Sequence, residues 1–265
     1  MTSIVPFDPR RFRSAAEHYL AGRPPYPPQL IEHVVGLCGV TAADRVLDLG
    51  CGPAQLARAL APFAREVVAV DPEPEMLALA RQLTLEAGQH NLSFVQGSSY
   101  SLEPDLGRFK MAAIGRAFHW MDREDALRRL DGIIEAGGAV VLFEDEHPKV
   151  PDNAWRQDFE MLIDRYGAVD PSRRQRKSAD WVKAEAVLLD SAFPDLLRIG
   201  VIEKRPLQID DLIQRAFSRS GTTRARLGAQ ADQLAADIRD VIGGKATNGT
   251  VIEVVETNAL IARRA

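Results

Sequence analysis

Two glycines in the stretch Val46-Leu47-Asp48-Leu49-Gly50-Cys51-Gly52-Pro53-Ala54, an aspartate at Asp71 and a histidine at His119 are the residues of this chain best suited to chemistry by type and spacing. Glycine lets a backbone turn sharply and approach a ligand with no Cβ between them, and amides that open a helix favour electronegative atoms. Gly50 and Gly52 therefore predict the floor of a cofactor site. Asp71 lies 21 residues after Gly50, at the end of an apolar run. At a strand end beside that floor, its carboxylate can accept both hydroxyls of a ribose. Asp48, two residues before Gly50, is placed to bind an amino-acid portion through water or through the amides of the glycine turn. His119, in Arg116-Ala117-Phe118-His119-Trp120, carries an imidazole able to take a proton from a hydroxyl, an amine or an acidic carbon. The competing reading is that His119 and Trp120 only wall the substrate pocket. Glu144, Glu146 and His147 follow a later apolar run and are reserve candidates for substrate contact.

The elements that must position these residues are legible between about 26 and 145, where apolar runs of strand length alternate with segments of helical period. That alternation is the signature of a parallel sheet with crossover helices. Strands are predicted at 45–49, 66–70, 92–96, 110–114 and 139–143. Helices follow with inward stripes of Ile31, Val34, Val35 and Cys38, then Leu56, Ala59, Leu60 and Phe63, then Met76, Leu79, Ala80 and Leu83, then Leu127, Leu130 and Ile134. Pro74 suits a first helical turn, Asp122 an N-cap, and Gly137-Gly138 a helix end. Beyond Pro148 the alternation breaks. Helix-like segments at 155–166 and 179–189 flank the basic stretch Arg173, Arg174, Arg176 and Lys177, which reads as a solvated connection. Trp155, Phe159, Leu162 and Tyr166 recur at helical spacing as the packing face of a lid. A strand at 198–204, helices at 209–217 and 231–242, and strand-type residues at 251–261 complete the chain. One elaborated domain over 1–265 is expected, with an N-terminal segment at 1–30 and a helical lid at 148–197 that together select substrate.

The 265 residues are 46% hydrophobic, enough for a sizeable core. A net charge of −4 argues against a surface built for nucleic acid, which needs clustered Lys and Arg. No apolar run reaches membrane-spanning length, and residues 1–13 lack the layout of a signal peptide, so a cytoplasmic protein is expected. Cys38 and Cys51 suggest no disulfide framework, and the five dispersed histidines no metal site.

A glycine turn with a distal acid also serves nicotinamide enzymes, but Gln55 stands where a dinucleotide fingerprint has its third glycine, and no second nucleotide-binding half follows. The successive motifs LDLGCGPAQLA, VVAVDPEPEMLALAR, FVQGSS and GRAFHWMDR instead resemble those of class I S-adenosylmethionine (SAM) dependent methyltransferases. Within that family the chain resembles the bacterial group of small-molecule enzymes related to trans-aconitate and ubiquinone/menaquinone C-methyltransferases. The resemblance covers roughly residues 15–145.

It implies an α/β, Rossmann-like doubly wound sheet of seven mostly parallel strands with the last antiparallel, so that 198–204 and 251–261 would form the final hairpin-like pair. It places the methionine moiety of SAM against Gly50 and Gly52 with Asp48 nearby, Asp71 and the adjoining Pro72 at the ribose, and Met76 near the adenine. Where the family often has an Asp that binds the adenine amine, this chain has Gly97-Ser98-Ser99, with Ser98 as the substitute. Ala54 replaces a third glycine. Tyr19-Leu20-Ala21-Gly22-Arg23-Pro24-Pro25-Tyr26 resembles the family's N-terminal segment, in which Tyr19 covers the site and Arg23 pairs with the SAM carboxylate. Arg116 would contact SAM or an anionic substrate. The activity implied is methyl transfer to a small molecule, leaving S-adenosyl-L-homocysteine. The readings set beside it are a methyltransferase acting on RNA or protein, which would want a basic module, and a SAM-binding protein without catalysis.

Overall fold

A computed structural model describes residues 5–12, 14–167 and 170–264, with backbone alone for 171–173. Arg173 of the basic stretch thus lies outside the described side chains, as do Met1–Ile4 and Arg13 of the N-terminal segment. The chain runs α1 (Ala16–Gly22), α2 (Pro28–Cys38), β1 (Arg45–Leu49), α3 (Gln55–Leu60), β2 (Glu66–Asp71), α4 (Pro74–Glu86), β3 (Leu92–Gln96), β4 (Phe109–Gly115), α5 (Arg123–Ile133) and β5 (Ile134–Glu146). It continues through α6 (Trp155–Tyr166), α7 (Pro171–Arg176), α8 (Ala184–Leu189), β6 (Asp195–Gln208), α9 (Ile209–Phe217), α10 (Arg224–Leu227), α11 (Gln230–Gly243) and β7 (Thr250–Arg263).

The sheet has seven strands in the order β3-β2-β1-β4-β5-β7-β6, with β7 antiparallel to both neighbours and the other pairs parallel. Strands β1 and β4 are largely buried on both faces because helices cover both. One face packs on α2, α3 and α4 through Val34, Leu56, Leu60 and Leu77, and the other on α5 and α8 through Leu127, Leu130, Leu188 and Phe193. The carboxyl ends of β1, β2, β4 and β5 therefore share one edge, where Gly50, Asp71, Arg116 and Glu144 emerge.

Several local expectations shift. The stripe of α4 is Met76, Leu77, Ala80 and Thr84, one position round the helix from the one read at Leu79 and Leu83. Asp122 caps α5 by accepting from the amide of Asp125. Gly137-Gly138 does not end that helix. It lies inside β5, where pairing with β4 changes register between Phe109 and Met111, and Gly137 takes up a left-handed φ of +70°.

The largest correction concerns the lid. β6 and β7, longer than the strands expected at 198–204 and 251–261, pair over 14 residues each, with α9, α10 and α11 between them. Past the pairing of Glu146 with Glu256, β6 and β7 continue without β5 as a two-stranded ribbon to Gln208 and Thr250. There the burial of β7 alternates, with Val251, Glu253 and Val255 inward, whereas from Thr257 to Ala262 every residue is buried. The inward face of the ribbon carries a third core of α6, α9 and α11 built on Trp155, Phe159, Leu212, Leu234 and Ile238. Trp155 Nε1 donates to Ile252 O at 2.7 Å, and Asn153 exchanges hydrogen bonds with the backbone of Val254, stapling α6 to the ribbon. The helical cap thus comes from two chain segments, while α8, read as part of the lid, packs under the sheet. At Gly22 a Cβ would fall 2.7 Å from the Arg215 backbone, so glycine allows α1 to lie against α9.

Candidate functional site

Two cavities adjoin at the carboxyl edge of the sheet. The first is a mainly apolar crevice of about 100 Å³ bordered by Gly50, Gly52, Asp71, Met76 and Ser99, with Phe7 to Phe12 on its outer side. The second, about 260 Å³, is polar and lies under the cap. Phe12, Tyr19, Arg116 and Trp120 border both.

The crevice floor is the turn after β1. Gly50, Gly52 and Ala54 all have left-handed φ values, of +74°, +53° and +57°. A Cβ at Gly50 would sit 2.7 Å from the Ala117 Cβ, and one at Gly52 would enter the space before Tyr19. The expectation that this turn offers its amides to a ligand is corrected: the amides of Gly50 and Cys51 donate to Val70 O, and that of Gly52 donates to Asp71 Oδ2 at 2.8 Å. The turn supplies room, not donors. Asp71 Oδ1 in turn accepts from the Glu73 amide at 2.9 Å. Each oxygen keeps a further lone pair, so this carboxylate can also accept from the hydroxyls of a diol. Burial raises its pKa to about 6, against the two amides that lower it.

Pro72, Met76, Ser98 and Ser99 border the same crevice. Ser98 caps a short 3₁₀ turn, accepting from the Tyr100 amide at 3.3 Å, and Ser99 is buried. An apolar slot, a glycine floor that a side chain would fill, and an acceptor-only acid at the rim fit a nucleoside.

Three of the residues picked out by sequence lie elsewhere or are otherwise engaged. Asp48 is 1% exposed behind the floor, where Oδ2 accepts from the Ala57 amide at 2.9 Å and Oδ1 has no hydrogen-bond partner among the described residues. It supports the turn from below and does not border either cavity. Arg116 is fully committed to the protein: Nε and Nη2 grip Asp145 at 2.7 and 3.0 Å, Nη2 also donates to Pro24 O, and Nη1 donates to Gln55. Its guanidinium stacks on Tyr26, whose hydroxyl occupies the space a Cβ on Gly115 would need. Arg116 therefore ties the N-terminal segment to the ends of β4 and β5 and has little to offer a ligand. Arg23 borders the polar cavity instead of the crevice, with its guanidinium 5.5 Å from the Tyr19 ring that separates the two.

His119 also faces the polar cavity. Its Nδ1 lies 3.7 Å from Glu144 Oε1 and its ring packs on Trp120 with centroids 4.7 Å apart. Burial lowers its pKa below the ordinary value, outweighing Glu144, which raises it. The imidazole is thus neutral at pH 7.

The cap supplies residues that sequence reading missed. Glu253, inward on β7 and fully buried, accepts from Arg215 at 2.5 Å, Arg205 at 2.7 Å and Arg156 at 3.2 Å, with His147 Nε2 at 3.0 Å. These cations hold its carboxyl far below the usual range despite burial. Arg219 grips Glu160 through two nitrogens at 2.9 and 2.8 Å. Arg176, from the stretch read as solvated, reaches the cavity and stacks on Trp120 at 4.1 Å.

Comparison with known proteins agrees with this geometry. Residues 46–138 match the family described as a methyltransferase domain. An uncharacterised methyltransferase of Mycobacterium tuberculosis is 32% identical over 162 residues, 61% of each chain. The demethylmenaquinone methyltransferase of Lactococcus lactis is 29% identical over 44% of this chain and 48% of its own. The match to the M. tuberculosis protein thus spans about three-fifths of that relative's length. A SAM-dependent methyltransferase from Geobacter sulfurreducens, solved in complex with S-adenosyl-L-homocysteine, shares the fold over 99% of both chains, with a TM-score of 0.54 and 16% identity. Residues 46–138 thus match a methyltransferase domain, and the sheet that contains them has the fold of the G. sulfurreducens SAM-dependent methyltransferase.

Proposed function

We propose that the chain transfers a methyl group from SAM to a small molecule. The observation that carries this reading is the adjacency of the two cavities: a nucleoside-shaped crevice opens past Tyr19 and Trp120 onto a second space of metabolite size beneath the cap. A macromolecular acceptor would have to reach beneath the helices that roof that space.

In this reading Asp71 accepts from the ribose hydroxyls, Met76 and Pro72 line the adenine and ribose end, and Ser98 and Ser99 border the base. Gly50 and Gly52 leave room for the methionine portion, and Arg23 meets its carboxylate beside Tyr19. Bound SAM supplies an activated methyl: as the acceptor's lone pair forms the new bond to carbon, the sulfur–carbon bond breaks and its electron pair stays on sulfur. The chain's own work is to align the acceptor and exclude water. His119 Nε2 takes the proton from an acceptor that carries one, its Nδ1–H held toward Glu144.

Calorimetry with SAM, S-adenosyl-L-homocysteine and NAD, followed by a screen for labelled methyl transfer to metabolite, RNA and protein pools, tests the proposal. Binding of the two sulfur nucleosides with label in the metabolite pool is expected. Binding of NAD alone, or label only in macromolecules, refutes it.

A further inference from the structure

A further cavity, of about 410 Å³, opens on the face of the sheet that α5 and α8 cover. His119, Glu144 and Arg176 border both it and the polar cavity, whereas it shares no residue with the crevice. Side chains alternate along a strand, so Leu142, Glu144 and Glu146 of β5 stand on the same face. On β7, Leu260 is opposite Leu142 and Asn258 is opposite Glu144. Phe118 and Trp181 add to the apolar wall begun by the two leucines.

Two donors at this cavity are incompletely used. Asn258 and Arg123 are each 3% exposed, and neither Asn258 Nδ2 nor Arg123 Nη2 has a hydrogen-bond partner among the described residues. Arg123 is held in place from its other side, donating through Nη1 to Val182 O at 2.5 Å and stacking on Trp181 at 4.3 Å. It also opens α5, where the helix dipole disfavours a cation, and burial lowers its pKa against the opposing charges of Glu124 and Asp122. A buried donor without a partner costs stability, and a fold keeps one where a ligand completes it.

The charges at the border say which ligand. Arg198 is paired with Glu185 at 2.6 Å. The others are cations at Arg123, Arg176 and Lys183 and carboxylates at Glu144 and Glu146. A simple anion meets the two glutamates, and a simple cation meets Arg123. Glu144 and Asn258 share one rung of the β5–β7 ladder, which sets an acceptor beside a donor with Cβ atoms about 5 Å apart. A molecule with opposite charges on neighbouring atoms matches that arrangement.

The geometry points to a second ligand site, for a free α-amino acid with an apolar side chain. Its carboxylate takes the donors of Arg123 and Asn258, its ammonium lies on Glu144 and Glu146, and its side chain packs on Trp181, Leu142 and Leu260. Because Glu144 also faces His119, an ammonium there competes for the carboxylate that reaches the polar cavity.

The test is calorimetry on the full chain saturated with S-adenosyl-L-homocysteine, which fills the crevice and keeps an amino acid out of it. L-phenylalanine is compared with 3-phenylpropionate and phenethylamine, each of which lacks one of its two charges. Phenylalanine binds at least about tenfold more tightly than either, since each control forfeits a charge-assisted hydrogen bond. Asn258→Leu weakens phenylalanine at least about fivefold and leaves S-adenosyl-L-homocysteine affinity within about twofold. The fold tolerates this change, because a buried donor without a partner gives way to an apolar side chain. Glu146→Gln, at an exposed carboxylate, weakens phenylalanine at least about threefold. No binding of phenylalanine up to about 10 mM, a control that equals it, or an affinity that either substitution leaves unmoved overturns the proposal. Failure of S-adenosyl-L-homocysteine to bind refutes the methyl-transfer reading instead, and the response of phenylalanine to Asn258→Leu still decides this site.

Discussion

The amide of Gly52 donates to Asp71 Oδ2 at 2.8 Å, and with the Gly50 and Cys51 amides on Val70 O this joins the turn after β1 to the end of β2. The same carboxylate is the proposed acceptor for the ribose, and burial has raised its pKa to about 6. Below that pH it carries a proton and loses acceptor capacity. SAM affinity is therefore expected to fall about tenfold between pH 7.5 and pH 5, as the ionised fraction drops. Asp71→Asn should bind SAM weakly at both values, with little pH dependence. Calorimetry at the two pH values checks this, and a wild-type affinity that is flat across the range counts against the role of Asp71.

Asp48 answers to the same burial in a different way. Its pKa is raised to about 7, with the Ala57 amide only partly opposing desolvation. The folded value lies above that of the unfolded chain. The unfolded chain therefore binds fewer protons between about pH 4 and pH 7, and stability falls as pH rises through that window. Asp48→Asn removes the ionisation while keeping an oxygen for the Ala57 amide. Relative to wild type, the variant should gain more than about 1 kcal/mol on going from pH 4 to pH 8. Urea denaturation at both values measures it, and a constant difference would falsify the assignment.

Much of this arrangement was legible in the chain because it is local. A strand, a glycine turn and a helix are contiguous in 45–60, and the alternation of period locates Asp71 at the end of the neighbouring strand. What was hidden depends on residues far apart in sequence. Arg116 reads as a free strand-end cation until Asp145 and Pro24 are brought to it across 29 and 92 positions. Arg215 reads as the polar side of an amphipathic helix, yet its partner Glu253 stands 38 residues on. One signal for that pair was present: in Thr250-Val251-Ile252-Glu253-Val254-Val255, strand alternation puts Glu253 on the same face as Val251 and Val255. A glutamate forced inward demands a cation.

That demand makes Glu253 the keystone of the cap. Glu253→Gln keeps the volume but removes the charge that holds Arg156, Arg205 and Arg215 together, and a loss of about 3–5 kcal/mol is expected. Because its folded pKa lies well below the unfolded value, the contribution is fully present above about pH 4.5 and is lost as pH falls from there. Chemical denaturation of wild type and variant between pH 3 and pH 7 should show the gap closing on the acid side. A gap that stays open at pH 3 would assign the loss to packing.

His119 borders the polar cavity beside Trp120, where its protonation answers to burial and to Glu144. Burial lowers its pKa and Glu144 works against that, so the neutral, proton-accepting form prevails at pH 7. If it serves as base, turnover of an acceptor that must lose a proton rises with pH to a plateau, with an acid limb below the ordinary imidazole value. His119→Ala should then lower kcat by about 10² or more with SAM affinity unchanged. Glu144→Gln should have a smaller effect on kcat and move the acid limb to lower pH, because the carboxylate that favours protonation is gone. The pH profile separates a base from a wall: a residue that only packs against Trp120 alters KM, and its loss leaves the acid limb where it was.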